Sequence, residues 1–293
     1  MQVLVDRTKD TIVATIKGAG EIVNAVTETV SDSLAAALKG TGSVGKALTE
    51  AVSDVACGAI EGTSQVGGDL GKTAKGAAIG VLRGTKQVGG EALDAVGSTV
   101  ENLVKTTTDV GGDAGSAARN AMEGVIEGAA SVGIKGVDAI SAAAAGAIQG
   151  LGGIGKTATT TTAGVARELI RGASNVGGDL GSAAKGTMLG VLRGTKTLTA
   201  ETADTVGATA GSLVKATAEV GGDVAATAKA AVEGAIQGAK EVGVDVAGAA
   251  AAAANGALKA AGDISTTAVE QVERAATGVI SGVKVVVTTP FRK

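Results

Sequence analysis

Apolar residues open a block every 22 positions along this chain: Ile22, Val44, Val66, Val88, Val110, Val132, Ile154, Val176, Leu198, Val220, Val242 and Ile264. Glycine usually follows, as at Gly45, Gly67, Gly89, Gly111, Gly133 and Gly177. A longer period contains five such blocks. GTSQVGGDLGKTAKGAAIGVLRGTK from Gly62 returns as GASNVGGDLGSAAKGTMLGVLRGTK from Gly172, 110 residues later and without insertion. Twenty-two is twice eleven, and eleven residues fit three helical turns at about 3.67 per turn. At roughly 98° per residue, unit positions 1, 5, 9, 12, 16 and 20 fall within about 65° of one another. One unit places Val66, Leu70, Ala74, Ala77, Val81 and Thr85 there, and position 17 beside them is large in unit after unit. The pattern predicts an all-α protein of amphipathic helices, packed as a bundle or filament. Its packing or lipid-facing side comprises Val44, Val66, Leu82, Val88, Val110, Ile126, Val132, Ile154, Val176, Leu192, Leu198, Val220, Ile236, Val242 and Ile264.

Charge occupies the opposite side. Position 4 carries Asp69, Glu91, Asp113, Asp179, Glu201, Asp223 and Asp245, and position 18 carries Lys39, Arg83, Lys105, Arg171, Arg193, Lys215 and Lys259. With positions 7, 10, 14 and 22 they fill an arc of roughly 130°. A β-solenoid also has 22-residue periods, but it needs strict alternation along β-branched strands. Asp223–Glu241, DVAATAKAAVEGAIQGAKE, has helical spacing instead. About thirteen units span residues 1–282, and residues 283–293, VKVVVTTPFRK, form a β-prone, basic, non-repeat tail.

Glycine changes this picture, at 48 of 293 residues. Each interior helical glycine costs about 1 kcal/mol relative to Ala, so a solitary helix of this sequence is unfavourable. The apolar face must be buried against something, at about 25 cal/mol per Å². Runs such as Gly76, Gly80, Gly84 and Gly186, Gly190, Gly194 have the small-xxx-small spacing that lets helix backbones approach closely. The GGD triplets at 67–69, 111–113, 177–179 and 221–223, with GGE at 89–91, admit a second reading. There the glycines end one helix and the acid caps the next. A continuous rod would be on the order of 430 Å long. Hairpins would let the chain be its own partner.

Candidate chemistry is sparse. The chain has no His, Trp or Tyr and one Cys, Cys57, so zinc sites and Ser–His or Cys–His catalysis lack their residues. Gly150–Thr157, GLGGIGKT, matches a phosphate loop, but AAAAGAIQ before it is no strand. The copy one long repeat earlier, from Gly40, has lost the hydroxyl. Cys57 falls on the polar arc and reads as a surface thiol, with an intermolecular cross-link as the alternative. A net charge of −3 and the lack of stacking rings argue against nucleic acid. No cofactor is expected. Met1 leads into an early-charged MQVLVDRTKD, unlike a secretory signal, and no uncharged apolar run is long enough to span a bilayer. A cytoplasmic location is the expectation.

The eleven-based units, and Gly-rich stretches such as Asn175-VGGDLGSAAKGTMLGVLRGTK, resemble the repeats of synucleins, with their KTKEGV-like cores. In pattern they are also similar to perilipins, exchangeable apolipoproteins and late embryogenesis abundant proteins. That resemblance implies reversible binding to a lipid surface, or protection during drying. This chain has fewer interfacial lysines than those families and no aromatic anchors. Its residues favour a non-enzymatic structural protein that self-assembles through the Gly/Ala/Val face. A lipid-droplet or membrane coat is the alternative. An ice-binding role is a second one, because Val30, Thr41, Val52, Thr63, Thr85, Val96 and Thr107 recur at eleven-residue spacing.

Overall fold

The computed structural model describes residues 2–16, 21–38, 44–87, 92–134, 136–152, 158–175, 177–194 and 202–287. It is all-α apart from one short hairpin. The helices are α1 (Gln2–Ile16), α2 (Ile22–Leu38), α3 (Val44–Gln65), α4 (Leu70–Gln87), α5 (Ala92–Asp109), α6 (Ala114–Val132) and α7 (Gly136–Gly152). There follow α8 (Ala158–Asn175), α9 (Leu180–Gly194), α10 (Thr202–Glu219), α11 (Val224–Val242), α12 (Val246–Gly262) and α13 (Thr266–Ala276). Strands β1 (Gly278–Ile280) and β2 (Val283–Val285) pair antiparallel. The chain forms two compact units, Met1–Gly155 and Lys156–Lys293. Among the described residues each 22-residue block carries one helix, and within each unit successive helices pack on one another rather than running on as a rod.

The turn explains the glycine pair. After α5, the Gly112 N–H donates to the Thr107 carbonyl at 2.7 Å and the Gly111 N–H to that of Thr108 at 2.9 Å. After α10, Gly222 and Gly221 repeat this on Thr217 and Ala218, at 2.8 and 3.1 Å. These paired bonds are a Schellman ending, whose C′ residue must be left-handed. Gly111 and Gly221 accordingly have φ of 83° and 74°, a region in which a side chain would be strained. The second glycine is there for space. A Cβ on Gly112 would lie 2.6 Å from Thr107 Cγ2 and 2.7 Å from Leu70 Cδ1.

The acid that follows caps the next helix. Asp223 is extended, and its carboxylate accepts from the Ala225 and Ala226 N–H groups at 2.9 and 3.0 Å. Asp69 receives the Lys72 N–H and Asp179 the Ser182 N–H, at 3.0 and 2.6 Å. Position 4 is therefore not a point on the polar arc of a helix. It stands outside the helix and satisfies amide groups that the first turn leaves without partners.

The glycines inside the helices do something else. In the first unit α4 lies on α2, and Gly76, Gly80 and Gly84 sit over the carbonyls of Val23, Thr27 and Ser31. A Cβ at each would fall 2.7, 2.7 and 2.9 Å from those oxygens. Both series ascend together, so helices two apart in sequence run parallel, backbone against backbone. The same arrangement joins α3 to α1 through Gly58 and Gly62, α6 to α4 through Gly124, and α7 to α5 through Gly146 and Gly150. In the second unit it joins α11 to α9 through Gly234 and α12 to α10 through Gly256. Each unit therefore has two rows of helices. In the first, α1, α3, α5 and α7 form one row and α2, α4 and α6 the other. In the second, α8, α10 and α12 stand opposite α9, α11 and α13.

The β-hairpin straddles the boundary expected at residue 283. It begins at Gly278, where the repeat would continue α13. Ile280 and Val285 are buried, β2 packs on α12, and Lys240 Nζ donates to the Ser281 carbonyl at 3.4 Å. Residues 288–293, with Pro290 and Phe291, lie outside the described residues.

Candidate functional site

The helix wheel treats positions 1 and 17 alike, but the turns separate them. At position 17, Leu82, Leu192 and Ile236 are 1% exposed and Ile126 is 8% exposed, all on helices whose rows face each other. At position 1, Val66, Val110, Val132, Val220 and Val242 are half-buried where a helix ends, and Ile264 is 40% exposed. The wheel puts position 1 inside the stripe because it assumes an unbroken helix. The left-handed glycine at position 2 breaks that assumption. Val44 heads α3, and its side chain, with Val88, Ile154, Val176 and Leu198, lies outside the described residues.

The Thr/Val row at eleven-residue spacing is interior too. Val30, Val52, Thr63 and Thr85 are 0% exposed, and Val96 and Thr107 are 1% exposed; Thr41 lies outside the described residues. Some of these hydroxyls pair across the turn. Thr73 Oγ1 donates to Thr63 Oγ1 at 2.9 Å, and Thr217 to Thr227 at 3.1 Å. At the equivalent place Thr107 faces the repeat position of Ala117, and its hydroxyl has no partner.

The charges at positions 18 and 22 bind helices two apart to one another. Arg171 reaches Glu219 at 2.9 Å, Arg193 reaches Glu241 at 2.8 Å, and Lys215 reaches Asp263 at 2.6 Å, each pair 48 residues apart. Sequence reading missed this ladder, although its signal is a base and an acid at one repeated spacing. Lys75 spans Glu123 and Glu127 at 3.0 and 2.7 Å. Burial alone would lower the Lys75 pKa, but the hydrogen bonds to Glu127 and Glu123 outweigh it and hold the ammonium above its usual range.

Carboxylates used as caps and ladder rungs are poor candidates for acid–base chemistry. Among the described residues no group of three or more His, Cys, Asp or Glu is placed to hold a metal. Cys57 is half-buried rather than on the surface, and its Sγ lies 3.1 Å from Thr106 Oγ1. Burial pushes its thiol pKa up, which lowers its reactivity. Of the phosphate-loop match, Gly150–Gly152 finish α7 and residues 153–157 lie outside the described residues. No described helix is long and apolar enough to cross a membrane. Comparison with protein-family models and with curated proteins returns no match.

Proposed function

We propose that this chain is a non-enzymatic structural protein that self-assembles. The observation carrying this is a recurring contact: α3, α4, α6 and α7 in the first unit and α11 and α12 in the second set glycines over carbonyls of the helix two before them, and α4 in turn offers its Lys75 carbonyl to α6. Such an interface is heterologous. Its two faces differ and complement each other, and repetition of a contact of that kind generates rings or open filaments. Further helices of the same sequence are therefore suitable partners, whether from this chain or from another copy. The lipid-coat reading has less support. Its apolar face would have to be free, and Leu82, Ile126, Leu192 and Ile236 of that face are buried.

Circular dichroism and sedimentation of the purified chain in lipid-free buffer test the proposal. We expect strong helicity and particles that grow with protein concentration. A helical species that stays monomeric at all concentrations removes self-assembly. A disordered monomer that turns helical only on vesicles replaces the whole reading with the lipid coat.

A further inference from the structure

A groove of about 570 Å³ runs across α8, α10 and α12 of the second unit. Small residues of α10 and α12, among them Gly207, Gly211 and Gly256, line it. Arg167 of α8, Ser212 and Lys215 of α10 and Lys259 of α12 line it as well. The Nε of Arg167 is buried and has no hydrogen-bond partner. A buried guanidinium donor without an acceptor is costly unless something fills the place. Asp263, which also lines it, is engaged by Lys215 at 2.6 Å and lies in the field of Lys259 too. Asp204 is the remaining acid, so the two acids leave one of the three bases in excess.

The repeat supplies an internal control. Shifted back by 110 residues, Arg167 falls on Cys57, Lys259 on Gln149 and Gly211 on Glu101. Cys57 is bonded to Thr106, and Glu101 pairs with Lys105. Asp263 in turn falls on Gly153, so the second unit has two acids here as the first does (Asp94 and Glu101) but has gained two bases, which turns a net acidic set of positions into a net basic one. Repeat register does not require those changes, and together they make an open, basic recess.

We propose that this groove binds a small anion through carboxylate or phosphate oxygens, with Arg167 and Lys259 as its charged contacts. Guanidinium groups match the planar geometry of such oxygens. The volume falls within the usual range of small-molecule sites. No aromatic ring lines the recess, so recognition rests on charge rather than on ring stacking.

Isothermal titration of the full chain with citrate, and separately with inorganic phosphate, at ionic strength held constant with chloride, tests this. Saturable binding of at least one of them is expected. Arg167→Gln and Lys259→Gln should each weaken it about tenfold or more, while Lys72→Gln in the first unit leaves it unchanged. If Arg167→Gln loses its helical spectrum, Lys259→Gln, at an exposed position, carries the test alone. Absence of saturable binding by either anion, or binding equally strong in the Gln variants, overturns the proposal.

Discussion

Glycine in this chain has two roles that composition cannot tell apart. At Gly80 an added methyl would sit 2.7 Å from the Thr27 carbonyl and 2.8 Å from Val30 Cβ. At Gly164, within α8, it would meet nothing within 4 Å. Alanine gains about 1 kcal/mol of helix propensity at either place, but at Gly80 it must push α4 off α2. Gly80→Ala should therefore destabilise by about 1–3 kcal/mol, and Gly164→Ala should stabilise by about 0.5–1 kcal/mol. Thermal unfolding of both variants checks the opposite signs. The buried threonines allow a second test. Thr227 occupies, with no exposure, the repeat position that Ala117 holds opposite Thr107. Ala117→Thr should give the Thr107 hydroxyl its missing partner, a gain of about 1 kcal/mol. The midpoint should then rise by about 2–4 °C, and a fall would mean that the site is already full.

At the GGD turns after α3, α5 and α10, a unit of the array is a helix with a Schellman ending and an acid at the next N-cap. Half of that was legible in the sequence: the GGD triplets already admitted a stop followed by a cap. What the wheel misplaced was the valine before them and the acid after them, because a wheel has no ends. The caps also set the pH response. Asp179 is held below the usual carboxylate range, first by the Ser182 hydroxyl and then by the Ser182 N–H. A carboxyl with a lowered folded-state pKa stabilises fully above its unfolded value, and that contribution disappears as pH falls through the folded value. The chain has no histidine to titrate between. Stability should hence be flat from about pH 5 to 8 and fall below about pH 4. Asp179→Asn keeps a capping acceptor without the titration. Denaturation at pH 3 and pH 7 should show a smaller difference for that variant than for the wild type. An equal difference would place the acid sensitivity elsewhere.

At the scale of each compact unit, stability comes from stacking every helix on the one two places before it. Partners are thus close along the chain, as in other repeat arrays whose units contact only near neighbours. Alanine and glycine dominate the contacts, so close backbone approach replaces the bulk that aromatic residues supply elsewhere. The salt-bridge ladder adds register more than energy. Its side chains are a third or more exposed, and exposed pairs contribute about 0–1 kcal/mol each. The groove at Arg167 belongs to this scale as well. No local motif announces it, because its parts come from α8, α10 and α12.

Periodicity alone determined the helical class, the 22-residue unit, the large buried side chain at position 17, and the need for an apolar partner. Those follow from the angle between successive side chains and from the cost of glycine, both local quantities. The folded chain alone decided who that partner is. The small-xxx-small spacing says only that some backbone can come close. Which carbonyl lies over Gly76, which acid meets Arg171, and where Arg167 is left without an acceptor depend on residues some fifty positions away being brought alongside. Nothing within one turn of helix encodes that distance.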